Sequence, residues 1–298
     1  MIKAAIVGYG NIGRAALEAL SAAQDFSVCG VVRRSGSGEG CPELNGLPVV
    51  QNIEELPEKP EVALICTPTR SVLETAEGIL KMGICTVDSF DIHTQIPQMH
   101  AALGQLARQG GSVAILSAGW DPGSDSVVRT LLEACAPKGL TFTNFGPGMS
   151  MGHSVAIRAI EGVADALSVT IPAGAGLHKR MCYVQLKKGA DPAKIERQIL
   201  EDDYFAHDET HIQFVPDVSA VRDMGHGVHI ERKGVSGSTH SQRFSFDMQI
   251  NNPALTAQIM VSAARAALRQ TPGCYTLIEL PPIDLLPGER AEHIARLV

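Results

Sequence analysis

Ala4-Ala5-Ile6-Val7-Gly8-Tyr9-Gly10-Asn11-Ile12-Gly13-Arg14 decides the fold of this chain. A short apolar run stops at a G-x-G-x-x-G turn, and a helical pattern follows through Ala15, Ala16, Leu17 and Leu20. Strand, glycine turn and helix in that order make a dinucleotide-binding fingerprint. Gly8 suits a tight turn, Gly10 a close approach of backbone to pyrophosphate, and Gly13 close packing of helix on strand. The helix start offers unpaired N–H groups and a positive dipole end to phosphate. Tyr9, Asn11 and Ile12 complete this expected contact segment.

Outward from the fingerprint, strand and helix signals alternate for about the first hundred residues. Compact apolar runs occur at 27–32, 62–66, 85–87 and 113–116, with helical spacing at 71–82 and 97–108. Runs of this kind, rather than alternating ones, suit parallel strands buried on both faces. After Trp120-Asp121-Pro122-Gly123 the pattern changes. A helix is expected at 126–135, then alternating strands at 140–144, 166–171, 181–187, 228–232 and 243–250, with a short helix at 192–201. An alanine-rich helix follows at 256–269. The expected architecture is α/β: a Rossmann-type doubly wound parallel sheet with an inserted α+β domain. Residues 1–118 and a returning tail, 252–298, form the dinucleotide domain, and 119–251 the inserted one.

The composition narrows the function classes. Hydrophobic residues make up 45% and charged residues 19%, enough to build a large core and too apolar for disorder. A net charge of −7 without a basic run argues against nucleic acid as a partner. No signal-peptide layout or membrane-length apolar run is present, so a cytoplasmic location with no membrane partner is expected. The seven cysteines lack a C-x-x-C pair and suit reduced thiols. His207-Asp208-Glu209-Thr210-His211 spaces two histidines like a zinc helix. Asp208 stands where the general-base Glu belongs, however, and a third ligand is missing, so the segment reads as solvated and no metal is expected.

The end of the second strand selects the cofactor. An NAD site places a carboxylate there for the ribose 2′-OH. This chain has Arg33, Arg34 and Ser35, a set that suits a 2′-phosphate through charge-assisted hydrogen bonds, so NADP is expected. Ligands of such sheets bind outside the carboxyl ends of the strands. The segments found there are Cys66-Thr67-Pro68-Thr69, Ser89 and Phe90, and Trp120, Asp121 and Pro122, which are expected to complete the cofactor contacts. Asp91 and Asp121 lie in two of the strand-end clusters. Two carboxylates beside a nicotinamide suit an amine substrate, holding its ammonium group and taking its proton.

Four segments occur in order: Gly8 to Arg14, Val87-Asp88-Ser89-Phe90-Asp91-Ile92-His93, Ala118-Gly119-Trp120-Asp121-Pro122-Gly123, and Phe145-Gly146-Pro147-Gly148-Met149-Ser150-Met151-Gly152-His153. With Gly225-His226-Gly227, Ile250-Asn251-Asn252-Pro253 and the tail Asp284-Leu285-Leu286-Pro287, the whole chain resembles the meso-diaminopimelate dehydrogenase family. The resemblance implies reversible, NADP-dependent oxidative deamination of the D-centre of meso-2,6-diaminopimelate, on a branch of lysine biosynthesis. Its products are L-2-amino-6-oxopimelate, ammonia and NADPH. It also implies a homodimer formed through the inserted domain.

By the same resemblance, Asp91 and Asp121 face the reacting D-centre, between walls made by Trp120 and Phe145. Met151 and Gly152 belong to a loop that closes over substrate. Thr170, Arg180, His226 and Asn252 bind the distal L-centre, where a guanidinium fork suits a carboxylate. Either aspartate serves as general base. Some relatives carry Gln in place of Met151 and Asp in place of Val155, and many have a longer segment between Thr170 and Arg180. These differences bear on how strictly the substrate is selected and on whether other 2-oxo acids are aminated. Two other readings stay open: a dehydrogenase of a different amino or oxo acid, and a non-catalytic NADP sensor.

Overall fold

The computed structural model describes residues 1–222 and 225–298. The chain separates into two compact units, residues 1–127 with 253–298, and residues 128–252. The first unit contains β1 (Ile2–Val7), α1 (Asn11–Ala22), β2 (Phe26–Val32), β3 (Val49–Val50), β4 (Val62–Ile65), α2 (Val72–Lys81), β5 (Cys85–Asp88), α3 (Ile96–Gly110) and β6 (Val113–Ile115). Helix α4 (Ser124–Cys135) leads into the second unit. There follow β7 (Lys138–Phe145), β8 (Gly148–Ser150), α5 (Met151–Arg158), β9 (Val163–Gly174), β10 (Leu177–Leu186), α6 (Pro192–Glu201), β11 (Glu209–Phe214), β12 (Gly225–Ser236) and β13 (Thr239–Asn251). Helix α7 (Asn252–Ala267), β14 (Gly273–Tyr275) and α8 (Arg290–Leu297) return the chain to the first unit.

The first unit is built on a seven-stranded sheet in the order β14-β6-β5-β4-β1-β2-β3, parallel at every pairing. Side chains alternate across β1: Ala4 and Ile6 enter one core, Ala5 and Val7 the other. Leu17 and Leu20 of α1 and Met260 and Val261 of α7 cover the first face. Ile79 and Leu80 of α2 and Leu103 and Ala107 of α3 cover the second. Both faces are therefore dry, which is why the strands read as unbroken apolar runs. Chain direction across the sheet reverses at β1, with β2 on one side and β4 on the other, so a ligand crevice opens where the glycine turn leaves β1.

In the second unit, β11-β10-β9-β8 form one sheet and β13-β12-β7 another. Their pairings are antiparallel except for β10 with β11. Helix α6 starts where Asp191 caps the N–H groups of Ala193 and Lys194 at 3.0 and 3.4 Å, with Pro192 at the first helical position.

The sequence reading missed several elements, among them the short β3 and helix α5. β14 is only Gly-Cys-Tyr, too short for a period, yet the Leu116 N–H donates to the Tyr275 carbonyl at 2.9 Å and the strand extends the main sheet beyond β6. β8 and α8 were also missed. The segment 207–211 is solvated as expected, with His207, Glu209 and His211 exposed, but it runs into strand β11, and Asp208 is partly covered. Met151 and Gly152 form the first turn of α5, not a loop.

Candidate active site

The glycine fingerprint has the geometry its spacing implies. Gly8 has φ +92°, and a Cβ there would lie 2.8 Å from the Cys66 carbonyl oxygen. A Cβ on Gly13 would lie 2.3 Å from the Gly8 carbonyl oxygen, so only glycine lets α1 sit this close to the turn. Around Gly10 there is open space within 4 Å. No side chain caps α1, and the first turn carries no acid. Its N–H groups and dipole are thus left for an anion.

Beside this turn, Tyr9 and Arg14 both engage Glu43. The Tyr9 hydroxyl donates to Oε1 at 3.3 Å, and Arg14 forms an ion pair with the same oxygen. Burial, with Glu43 adding to it, pushes the Tyr9 phenol up to about 12, so it stays a donor at neutral pH. Arg33 follows β2 directly, and its Nη1 lies 3.4 Å from Cys41 Sγ. The Arg34 carbonyl accepts from Gln51, and Ser35 Oγ bridges to Ser37. No acid stands among residues 33–38. An open cradle, an uncapped helix and two guanidinium groups together fit a dinucleotide carrying a 2′-phosphate. The sequence reading missed Glu43, whose contacts lie 29 and 34 residues away.

At the carboxyl ends of β4, β5 and β6, one buried residue organises the rest. Asp88 Oδ1 accepts from the N–H groups of Phe90 (2.9 Å) and Ser117 (3.1 Å), and its carbonyl accepts from Ala118 at 2.7 Å. Asp88 therefore ties the segment carrying Asp91 to the segment carrying Trp120 and Asp121. Burial pushes its carboxyl up to about 6, partly offset by the two N–H donors. Asp91 Oδ1 accepts from Thr69 Oγ1 at 2.6 Å. Asp121 is nearly covered and lies 3.7 Å from Nε2 of the exposed His93. Trp120 and Phe90 are buried. The turn from Trp120 into α4 demands Gly123, where a Cβ would lie 1.8 Å from the Gly119 carbonyl oxygen. Thr67, Pro68 and Ser89 stand at these strand ends as expected, and burial pushes the Cys66 thiol up to about 12.

Within the second unit, a polar group assembles around Arg180. Thr170 on β9 and Arg180 on β10 are cross-strand partners, and Arg180 Nη1 donates to Thr170 Oγ1. Arg180 Nε donates to Asp208 Oδ2 at 2.6 Å. Thr170 is 1% exposed, so its hydroxyl meets this guanidinium away from water. His226 lies at the start of β12, buried, with Nδ1 accepting from the Gly227 N–H at 2.8 Å. Asn252, also buried, opens α7 directly after β13. Phe145 ends β7, its N–H donating to His178 Nε2 at 2.8 Å. His153 of α5 bonds Ser150 through Nδ1 at 2.6 Å and packs against Tyr204 and Phe205. Burial and the Arg180 charge bring its pKa down to about 3, so the ring is neutral at physiological pH. Asp208 and His153 were not predicted as site residues, because their partners are set by tertiary packing.

This is the construction of a nicotinamide-dependent oxidoreductase of the Rossmann class, and residues 2–87 match the profile of the oxidoreductase family with an NAD-binding Rossmann fold. Residues 119–177 and 174–252 match the diaminopimelic acid dehydrogenase C-terminal domain. The meso-diaminopimelate D-dehydrogenase of Bacteroides fragilis is 60% identical over 100% of this chain and 99% of its own length. That of Lysinibacillus sphaericus is 32% identical over 98% and 97%. A solved structure of the Corynebacterium glutamicum DAP dehydrogenase in complex with DAP superposes with a TM-score of 0.89 at 29% identity, covering 100% of this chain and 99% of that one. An engineered D-amino acid dehydrogenase bound to NADP+ gives 0.88 at 28% identity, over 100% and 99%. The chain belongs to the meso-diaminopimelate D-dehydrogenase family.

Proposed function

We propose that this chain oxidises the D-configured amino centre of meso-2,6-diaminopimelate with NADP and water, giving L-2-amino-6-oxopimelate, ammonia and NADPH, and catalyses the reverse reductive amination. Full-length likeness to the Bacteroides fragilis dehydrogenase carries this reading. The tied strand ends bearing Asp91 and Asp121 support it independently of that likeness.

NADP is held on the α1 N-terminus by Gly8 to Gly13, with Arg33, Arg34 and Ser35 on its 2′-phosphate. When bound, it supplies the hydride acceptor. The protein must present a neutral amine, because a carbon bearing an ammonium group does not release hydride readily. Asp91, fixed by Thr69, holds the nitrogen in place. Asp121 accepts the proton, and the exposed His93 beside it passes the proton to solvent. Trp120 and Phe145 flank the reacting carbon, while Met151 and Gly152 close over the substrate at the start of α5.

At the other end of the substrate, Arg180, Thr170, His226 and Asn252 bind the distal amino acid centre. Anchoring that end fixes which hydrogen of the reacting carbon faces the cofactor, so stereochemical choice follows from positioning. A non-catalytic sensor has no use for a proton acceptor of this kind. The working form is a cytoplasmic homodimer assembled through the second unit.

NADP reduction at alkaline pH with meso-, L,L- and D,D-diaminopimelate tests the reading. Strong preference for the meso isomer with the L,L isomer inert is expected. Equal rates with simple D-amino acids would instead favour a dehydrogenase of another amino acid.

A further inference from the structure

Asp208 lies in the His-Asp-Glu-Thr-His segment that has no metal-binding geometry. His211 Nε2 lies 2.8 Å from Glu209, and the chain there enters strand β11. Asp208 itself is firmly placed. Its N–H donates to the Phe205 carbonyl at 3.1 Å, and its carbonyl accepts from Thr210 Oγ1 at 3.2 Å. Its carboxylate Oδ2 accepts from Arg180 Nε at 2.6 Å. The Arg180 and Asp208 side chains are 13% and 25% exposed, so the pair is mostly withdrawn from water.

The geometry around the guanidinium is directional. Nε is taken by Asp208 and Nη1 by Thr170, two different nitrogens of the planar group. Among the described residues Nη2 has no partner. Two contacts of different direction fix both the rotation and the tilt of a planar cation, which a single contact does not. Asp208 carries the charge that an incoming carboxylate carries, so direct contact between the two is repulsive. Its influence on that carboxylate therefore passes through Arg180.

We propose that Asp208 is a positioning residue that aims Arg180 and thereby sets affinity for the distal carboxylate of the substrate; this rests on the assignment of Arg180 to that carboxylate. The side chain sits at the mouth of a parallel strand pairing, in which Arg180 of β10 lies opposite Thr210 of β11. Small shifts of the 202–208 turn therefore move the guanidinium directly.

Steady-state kinetics with meso-diaminopimelate and NADP on Arg180→Met, Asp208→Asn, Asp208→Ala and the double variant Arg180→Met/Asp208→Asn test it. Losing the aiming contact should raise KM for diaminopimelate roughly tenfold in Asp208→Ala and less in Asp208→Asn, which keeps an acceptor oxygen. Turnover number and KM for NADP should stay near those of the parent chain. In the Arg180→Met background, Asp208→Asn should add no further rise, since the group it acts through is gone. If Arg180→Met raises KM but the Asp208 variants do not, or if the two losses add in full, the positioning role is wrong and the Arg180 assignment stands. If Arg180→Met leaves KM for diaminopimelate unchanged, the Arg180 assignment itself fails. A fall in turnover number with unchanged KM would identify Asp208 as a general structural residue and overturn the proposal.

Discussion

Asp88 offers a quantitative test of how the strand ends are held. Its carboxyl titrates at about 6 in the fold against 3.8 for an ordinary aspartate, because burial outweighs the two N–H donors from Phe90 and Ser117. A raised carboxyl pKa means that the folded state binds the proton more tightly than the unfolded state. Stability from this group is therefore greatest when both states are protonated and is lost as pH rises from about 4 to about 6. The difference of about 2 units corresponds to about 3 kcal/mol at 1.36 kcal/mol per unit. Asp88→Asn keeps an acceptor oxygen for both N–H groups but cannot ionise. Urea unfolding of both chains should then show the parent losing about 2–3 kcal/mol relative to the variant between pH 4 and pH 7. Every other titrating group cancels in that difference. A gap that stays constant with pH would refute the claim that an ionised carboxylate is forced into this site at neutral pH.

Three further outcomes are expected. Replacing both Arg33 and Arg34 with Ala should raise KM for NADP far more than KM for NAD, and equal losses would remove them from the 2′-phosphate. Asp121→Asn should collapse turnover while leaving NADP affinity, measured by fluorescence titration, near that of the parent; retained turnover would exclude Asp121 as the proton acceptor. In the first unit, Arg265 makes a two-pronged contact with Asp25, at 2.5 and 2.8 Å. Arg265→Leu should cost about 1–2 kcal/mol by removing the two-pronged contact, less than a fully buried pair because the Asp25 side chain is 34% exposed. Arg265 holds the Asp25 carboxyl below the usual range, so its contribution is present above the ordinary carboxylate pKa and is lost as pH falls through the lowered value. The variant should accordingly show a shallower acid limb in thermal unfolding.

The nucleotide-binding half was legible because burial on both faces writes its strands as plain apolar runs, and because Gly8 and Gly13 are demanded by backbone contacts inside the motif itself. The helix at 192–201 was legible to the residue, its start being marked by Asp191 and Pro192. What failed to show was set by distance along the chain. Asp208 meets Arg180 from 28 residues away, and Asp88 meets Ser117 from 29. β11 reads as a polar loop because Glu209, His211 and Gln213 are exposed and its pairing lies only on the β10 side. The helical start at Met151 was hidden by Gly152, a residue that weakens a helix signal without forbidding a first turn.

Strand β14 and helix α7 give the parallel sheet its last edge and part of the cover of one face, and both come from beyond residue 251. On the ribosome, residues 128–252 emerge as one uninterrupted piece, ahead of the tail that completes the first unit. The nucleotide-binding unit has to wait: its first hundred residues leave the exit tunnel with only α1 to cover the face of Ile6, Leu64 and Val87 that α7 later completes. Nascent chains stalled before that helix are therefore expected to leave part of this apolar face open, a condition that favours association between chains until the tail arrives.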